Sequence, residues 1–206
     1  MQMSEAFTRA YKEARWHHGS GSGSSPANTA AYREFLARYM LAYEVRSVLD
    51  IGCGDWQFSR LIDWAGIAYT GIDVVPELIT GCEAAYGRHL VDFACSDVLG
   101  GWTLPGADLI LCKDLLQHWP DAAVHELGRR LAGRRALLTY DLRCPHPTGR
   151  GGVHCPLHAD TEAGGYRPLD LTAPPFTWPL TERLRYQTVS HEGLVRRVKV
   201  VMELEP

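Results

Sequence analysis

The sequence predicts an α/β fold: an open, doubly wound, mostly parallel sheet that ends in an antiparallel hairpin. Three observations carry this. Residues 46–59, RSVLDIGCGDWQFS, run from a short buried strand at 47–50 into the glycine pair Gly52 and Gly54. Asp55 then opens a stretch with Phe58, Leu61, Ile62 and Ala65 at helical spacing. Short apolar runs next alternate with helical stripes, the pattern of parallel strands joined by crossover helices. Two β-rich segments, 184–190 and 194–204, lie at the end, separated by His191-Glu192-Gly193.

The remaining elements follow in order. Residues 4–15 read as a helix capped by Ser4, ahead of Trp16 and the run GSGSGSS at 19–25. Residues 1–25 are thus an N-terminal unit, its Gly/Ser run either a linker or a lid that brings Trp16 or Tyr11 onto a ligand. The main domain spans 26–206. Ser25-Pro26 opens its first helix, with Tyr32, Phe35, Leu36, Tyr39, Met40 and Tyr43 on one core-facing stripe and Tyr32 near enough to reach a pocket. A strand over 67–73 leads to a helix from Pro76, its inner face Leu78, Ile79, Cys82, Ala85 and Tyr86. Further strands are expected at 89–95, 107–112 and 136–142, with a helix from Pro120 turning Val124, Leu127 and Leu131 inward. Arg129, Arg130, Arg134 and Arg135 read as a solvated helix end. Residues 143–181 hold most of the prolines and no helical stripe, so they are expected to form a substrate-side loop.

Composition bounds the function. The 206 residues suit one domain, 46% hydrophobic and 22% charged. A net charge of −3 gives no electrostatic case for nucleic acid. No apolar run approaches membrane-spanning length, and the N-terminus lacks a signal-peptide pattern. Of the six cysteines, the four in predicted strands, a helix or the glycine turn read as buried small hydrophobes rather than a disulfide frame, which suits a reducing cytoplasm.

The glycine turn carries the chemistry. A dinucleotide site would want a third glycine where Gln57 stands, and a helix start free of acid for the pyrophosphate. Here Asp50 and Asp55 bracket the turn, repelling phosphate and attracting a cation. A ligand with an ammonium and a sulfonium fits. VLDIGCGDW indeed resembles the first motif of class I S-adenosylmethionine-dependent methyltransferases, acidic-x-Gly-x-Gly, with Trp56 where that family often has another glycine.

The resemblance implies a Rossmann-like seven-stranded sheet and S-adenosylmethionine as cofactor, with S-adenosylhomocysteine as product. It implies cofactor contacts from Asp50, Gly52, Cys53, Gly54, Asp55 and Trp56. Asp73, 19 positions after Gly54, would accept both ribose hydroxyls with Val74 beside it, the alternative being a helix-capping surface aspartate. Asp97 would accept from the adenine amino group and Val98 would pack on the ring; otherwise Asp97 is a turn residue. KDLLQHWPD resembles the active-site floor of small-molecule methyltransferases, with Lys113 toward the cofactor. His118 is the candidate general base, or else a structural histidine, and Asp114 and Asp141 are carboxylate alternatives. Candidate acceptor contacts are Trp16, Tyr32, Gln117, Trp119, Asp141 and Tyr166, with Arg167, Asp170 and Phe176 also on the loop. The aromatic set Trp16, Trp56, Trp119, Tyr166 and Trp178 suggests a planar or cationic acceptor. Cys144, His146, His154, Cys155 and His158 are metal-type residues at no zinc-finger spacing; an ordinary ligand-lining loop without metal is expected, the alternative being a weak metal site.

The function expected is methyl transfer to an O or N atom of a small molecule, as in natural-product biosynthesis. The alternatives are an RNA or protein methyltransferase, a non-catalytic binding module, and a nicotinamide-dependent oxidoreductase disfavoured by Gln57 and the paired aspartates.

Overall fold

The computed structural model describes residues 3–17, 19–101, 103–143, 159–190 and 196–206. In chain order these form α1 (Met3–Lys12), α2 (Ala30–Ala42), β1 (Ser47–Ile51), β2 (Ala68–Asp73), α3 (Pro76–Tyr86), β3 (Val91–Cys95), β4 (Leu109–Lys113), α4 (Asp121–Leu131), β5 (Ala136–Arg143), β6 (Leu180–Val189) and β7 (Arg196–Leu204). The seven strands make one sheet in the order β3-β2-β1-β4-β5-β7-β6. β1 to β5 run parallel, and β7 inserts antiparallel between β5 and β6. The expected seven-stranded, mostly parallel sheet with its terminal hairpin is borne out. β6 starts at Leu180, earlier than the sequence reading placed it.

Alternation along the strands builds a core on each face. Leu49, Ile51, Ile72, Ile110, Leu138 and Tyr140 pack with Val124, Leu127 and Leu131 of α4 on one side. Val48, Tyr69, Leu109, Leu111 and Leu137 pack with Tyr32, Leu36, Tyr39 and Met40 of α2 on the other. β1 lies between β2 and β4, where the winding reverses, so the carboxyl ends of these strands open a crevice. Among the described residues, no helix is long and apolar enough to cross a membrane.

Several expectations fail locally. No α-helix follows the glycine turn; a three-residue 3₁₀ turn, Ser59–Leu61, stands in its place. Trp56 adopts φ +56°, which a helix start does not accommodate. Its ring is buried against Tyr69, Tyr86 and Phe93, and the Trp64 indole N–H donates to the Ser59 carbonyl at 2.8 Å, tying off the turn. Burying two large rings outweighs the helix that periodicity favoured. α2 starts at Ala30 rather than at Pro26, because Thr29 Oγ1 and the Thr29 N–H both bond the Ser25 carbonyl in a preceding turn. Ser4 lies inside α1 and its hydroxyl donates to the Val74 carbonyl instead of capping. Ala85 is exposed.

Substituting Trp56→Ala should cost about 3–5 kcal/mol of stability. Urea unfolding measures it, and a loss below about 1 kcal/mol would remove the ring from the core.

Candidate functional site

Two connected cavities sit above the carboxyl ends of the strands. The first is a cleft over β1, β2 and β4. Its inner half, about 340 Å³, is apolar: Ile51, Ile72, Val74, Val98 and Trp119 line it, with Met3 and Phe7 of α1 above. Its outer half, about 570 Å³, is polar and holds Asp50, Cys53 and Lys113. Gly52 and Asp73 belong to both halves. Gly52 has φ +74°, and a Cβ there would come within 2.8 Å of Leu115. Glycine is therefore required for the backbone to line the cleft.

Asp73 ends β2 with its carboxylate oxygens accepting the Gly54 and Val75 N–H groups at 3.1 Å each. Burial pushes its pKa up against these donors. Each oxygen keeps a second lone pair, so a vicinal diol can be received. Asp50 is buried, accepts the Tyr69 hydroxyl at 2.7 Å and has its pKa raised to about 6; burial drives the rise, while Tyr69 and Lys113 pull it back. An apolar slot, a diol acceptor and a carboxylate at the far end match the parts of S-adenosylmethionine: a ring, a ribose and a cationic tail.

The N-terminal segment roofs this cleft. The Ser20 hydroxyl donates to Asp55 Oδ1 at 2.7 Å and accepts the Asp55 N–H at 3.1 Å, so the Tyr11 hydroxyl, 2.8 Å away, is the donor to Ser20. The Gly23 carbonyl accepts from Lys113 Nζ at 3.0 Å. The 19–25 run is thus anchored across the glycine turn.

The second cavity, about 680 Å³, shares Trp16, Ser20, Asp114 and His118 with the cleft. Gln117, Asp141, Tyr166, Arg197 and Lys199 lie on its floor and walls, with Arg15, His17 and residues 21–23 also lining it. A chain of charge runs beneath it. Lys113 Nζ lies 2.5 Å from Asp114, Lys199 Nζ lies 2.7 Å from Asp114 and 2.6 Å from Asp141, and the Tyr166 hydroxyl donates to Asp141 at 2.9 Å. Burial alone would raise the Asp114 pKa, but the Lys113 and Lys199 ammonium groups prevail and bring it to about 2. His118 Nδ1 sits 2.6 Å from the Gly165 carbonyl. A carbonyl only accepts, so Nδ1 carries the proton and Nε2 keeps its lone pair. Burial lowers the His118 pKa, favouring this neutral ring. Trp16 and Tyr166 flank it, with centroids 5.3 and 5.8 Å away.

The structure brings together most of the residues singled out from sequence, and it moves some. Trp56 lies on the opposite face in an aromatic core, because its left-handed backbone turns the ring away from the cleft. Tyr32 is fully buried in that same core. Trp119 lines the apolar half of the cleft instead of the acceptor cavity. Asp97 accepts the Leu99 N–H at 2.9 Å, and Ser96 and Val98 are the neighbours that reach the cleft. Asp55 holds the N-terminal segment through Ser20. Arg167 is buried against Asp121 and donates to the Trp119 carbonyl at 2.9 Å, while Phe176 packs on His125 and Asp170 bonds Thr172. Trp178 packs on Gly128 of α4. Cys144, His146, His154, Cys155 and His158 lie outside the described residues. Sequence reasoning missed Ser20, Arg197 and Lys199. The signal for Lys199 was there: a lysine in the apolar run of β7, between valines at 198 and 200.

Residues 49–134 match the model of a family described as a methyltransferase domain. Ubiquinone biosynthesis O-methyltransferases of Xylella fastidiosa are 37% identical over 81 residues, covering 37% of this chain. The chain spans about a third (32%) of the length of these relatives. Among solved structures, N-methyltransferase NodS from Bradyrhizobium japonicum, crystallised with S-adenosylhomocysteine, aligns with a TM-score of 0.57 over 87% of this chain and 88% of its own, at 20% identity. A 1,6-didemethyltoxoflavin-N1-methyltransferase from Burkholderia thailandensis, with 1,6-didemethyltoxoflavin and S-adenosylhomocysteine bound, aligns at 0.60 over 99% of this chain and 88% of its own, at 16% identity. These structural likenesses concern the fold. Together with the family model they bear out the resemblance to class I S-adenosylmethionine-dependent methyltransferases.

The raised pKa of Asp50 sets a pH dependence. Near pH 5 its carboxyl is largely protonated, and a bound cation must expel that proton. Affinity for S-adenosylhomocysteine should therefore weaken from about pH 7 to about pH 5, with proton release seen by calorimetry in buffers of different ionisation enthalpy. Asp50→Asn should remove the trend; a trend that persists would assign it to another group.

Proposed function

We propose that this chain, whose residues 49–134 match the model of a methyltransferase domain, moves a methyl group from S-adenosylmethionine to an O or N atom of a small molecule. The observation that carries the reading is the wall shared by the two cavities, where Asp114 and His118 face both. In this reading the apolar half of the cleft takes the adenine against Val98, Asp73 takes the ribose, and Asp50 faces the cationic tail with Gly52, Cys53 and Gly54 close by.

The bound cofactor supplies a methyl group already activated by its positive sulfur. The chain's task is alignment and removal of one proton. His118 is the base: its Nδ1–H is held by Gly165, its ring is neutral, and Nε2 is left to accept from a hydroxyl or amine. Asp114 is a poor base between two ammonium groups, and its role is to hold Lys113 and Lys199 in place. The net charge of −3 favours a small acceptor over RNA. Free thiols at Cys53, Cys82, Cys95 and Cys112 suit a reducing compartment such as the cytoplasm.

Asp73→Ala should abolish calorimetric binding of S-adenosylhomocysteine, and binding that survives would end the ribose assignment. With an acceptor found by screening against labelled methyl donor, His118→Ala should lower turnover about 10²–10⁴-fold and leave S-adenosylhomocysteine affinity within about threefold. Unchanged turnover would remove the base.

A further inference from the structure

We propose that the acceptor carries a carbonyl-type oxygen beside the hydroxyl or amine that takes the methyl group, and that the Gln117 carboxamide recognises this oxygen; this rests on the methyltransferase reading above. Gln117 is the middle residue of the 3₁₀ turn Leu116–His118, so it stands directly before the base and lines the same chamber. It is only 4% exposed. At such depth a polar side chain is held by its hydrogen bonds, since an unpaired group there is costly.

The backbone sets the orientation of the carboxamide. The Asp141 N–H donates to Gln117 Oε1 at 2.8 Å. An N–H only donates, so the oxygen is the end turned to β5 and Nε2 is the end left over. The Gln117 carbonyl accepts the Arg167 N–H at 3.0 Å, which pins the main chain of the same residue. Nε2 itself makes no hydrogen bond among the described residues. Nor is it sealed away: enclosed side-chain atoms without a partner include Trp119 Nε1 and Thr139 Oγ1, but not Gln117 Nε2. It therefore keeps an open face, and the cavity its residue lines is the acceptor chamber.

An amide nitrogen carries two N–H donors and accepts nothing. What it meets must bring a lone pair, and a carbonyl oxygen is its ordinary partner. His118 Nε2, on the next residue, has the opposite character and accepts. Consecutive Cα atoms are about 3.8 Å apart, so one small molecule can meet both groups. Its hydroxyl or amine faces His118 Nε2, and its carbonyl oxygen faces Gln117 Nε2. A molecule without that oxygen displaces water and leaves the amide nitrogen unpaired, so the site discriminates against it. Trp16 and Tyr166 line the same chamber and suit an aromatic body.

The test is calorimetric titration of the full chain, saturated with S-adenosylhomocysteine, with hydroxyaryl ketones, hydroxyaryl carboxamides and lactams, each paired with the analogue in which a methylene replaces the carbonyl. The carbonyl compounds should bind at least about fivefold more tightly than their partners. Gln117→Met removes the donors and should erase that preference. Gln117→Glu keeps an oxygen for the Asp141 N–H and so spares the fold; at about pH 8 its carboxylate has no proton to donate, and the preference should vanish there too. Both variants should hold S-adenosylhomocysteine within about threefold of the wild-type affinity. Methylene analogues binding as well as the carbonyl compounds, a preference that survives either substitution in protein that still binds S-adenosylhomocysteine, or no carbonyl compound bound at all would overturn the proposal while leaving the methyltransferase reading standing. Failure of S-adenosylhomocysteine to bind the wild-type chain would overturn both.

Discussion

The alternating chain Lys113, Asp114, Lys199, Asp141 is the constraint on which the site depends. These side chains start from the ends of β4, β5 and β7, three neighbouring or near-neighbouring strands of the sheet. Charges this deeply buried persist only when each is met by its opposite. Deleting one member leaves another stranded, so the four act as a single unit that ties parallel strands to the antiparallel β7. Asp114 takes φ +57° to reach both ammonium groups, a backbone conformation that the pairing holds in place.

That floor fixes what stands on it. His118 is held over the chamber by the 3₁₀ turn Leu116–His118 and by the Gly165 carbonyl. The segment carrying Gly165 is stitched down by backbone bonds from Gly164 to His118, Arg167 to Gln117 and Leu169 to Asp141. The Gln117 side chain in turn accepts the Asp141 N–H at 2.8 Å. The described part of the long proline-rich loop is therefore an ordered wall, with Leu169 and Leu171 fully buried beneath it.

Most of the architecture was legible in the sequence, because hydrophobic period and glycine placement are local signals. Seven strands, α3, α4 and the cleft residues Gly52 and Asp73 all follow from such patterns. The helix after the glycine turn was not legible in the same way. Phe58, Leu61 and Ile62 have helical spacing, but tertiary contacts of Trp56 and Trp64 decide the backbone there. Trp56 and Trp119 illustrate a second limit: an aromatic residue beside a motif gives no sign of which face receives it. Lys199 illustrates a third, since its partners Asp114 and Asp141 are 85 and 58 positions away. The lysine is conspicuous in the sequence, but its purpose is not.

The roof over the glycine turn bears on both cavities. Ser20 and Trp16 line both cavities, and Asp55 and Lys113 hold the same short run at its two sides, through Ser20 and the Gly23 carbonyl. One stretch of chain thus forms part of the wall of both cavities. Any shift of this stretch would change the enclosure of both cavities at once. A wall held in common would therefore couple the two cavities, so that what fills one bears on the shape of the other.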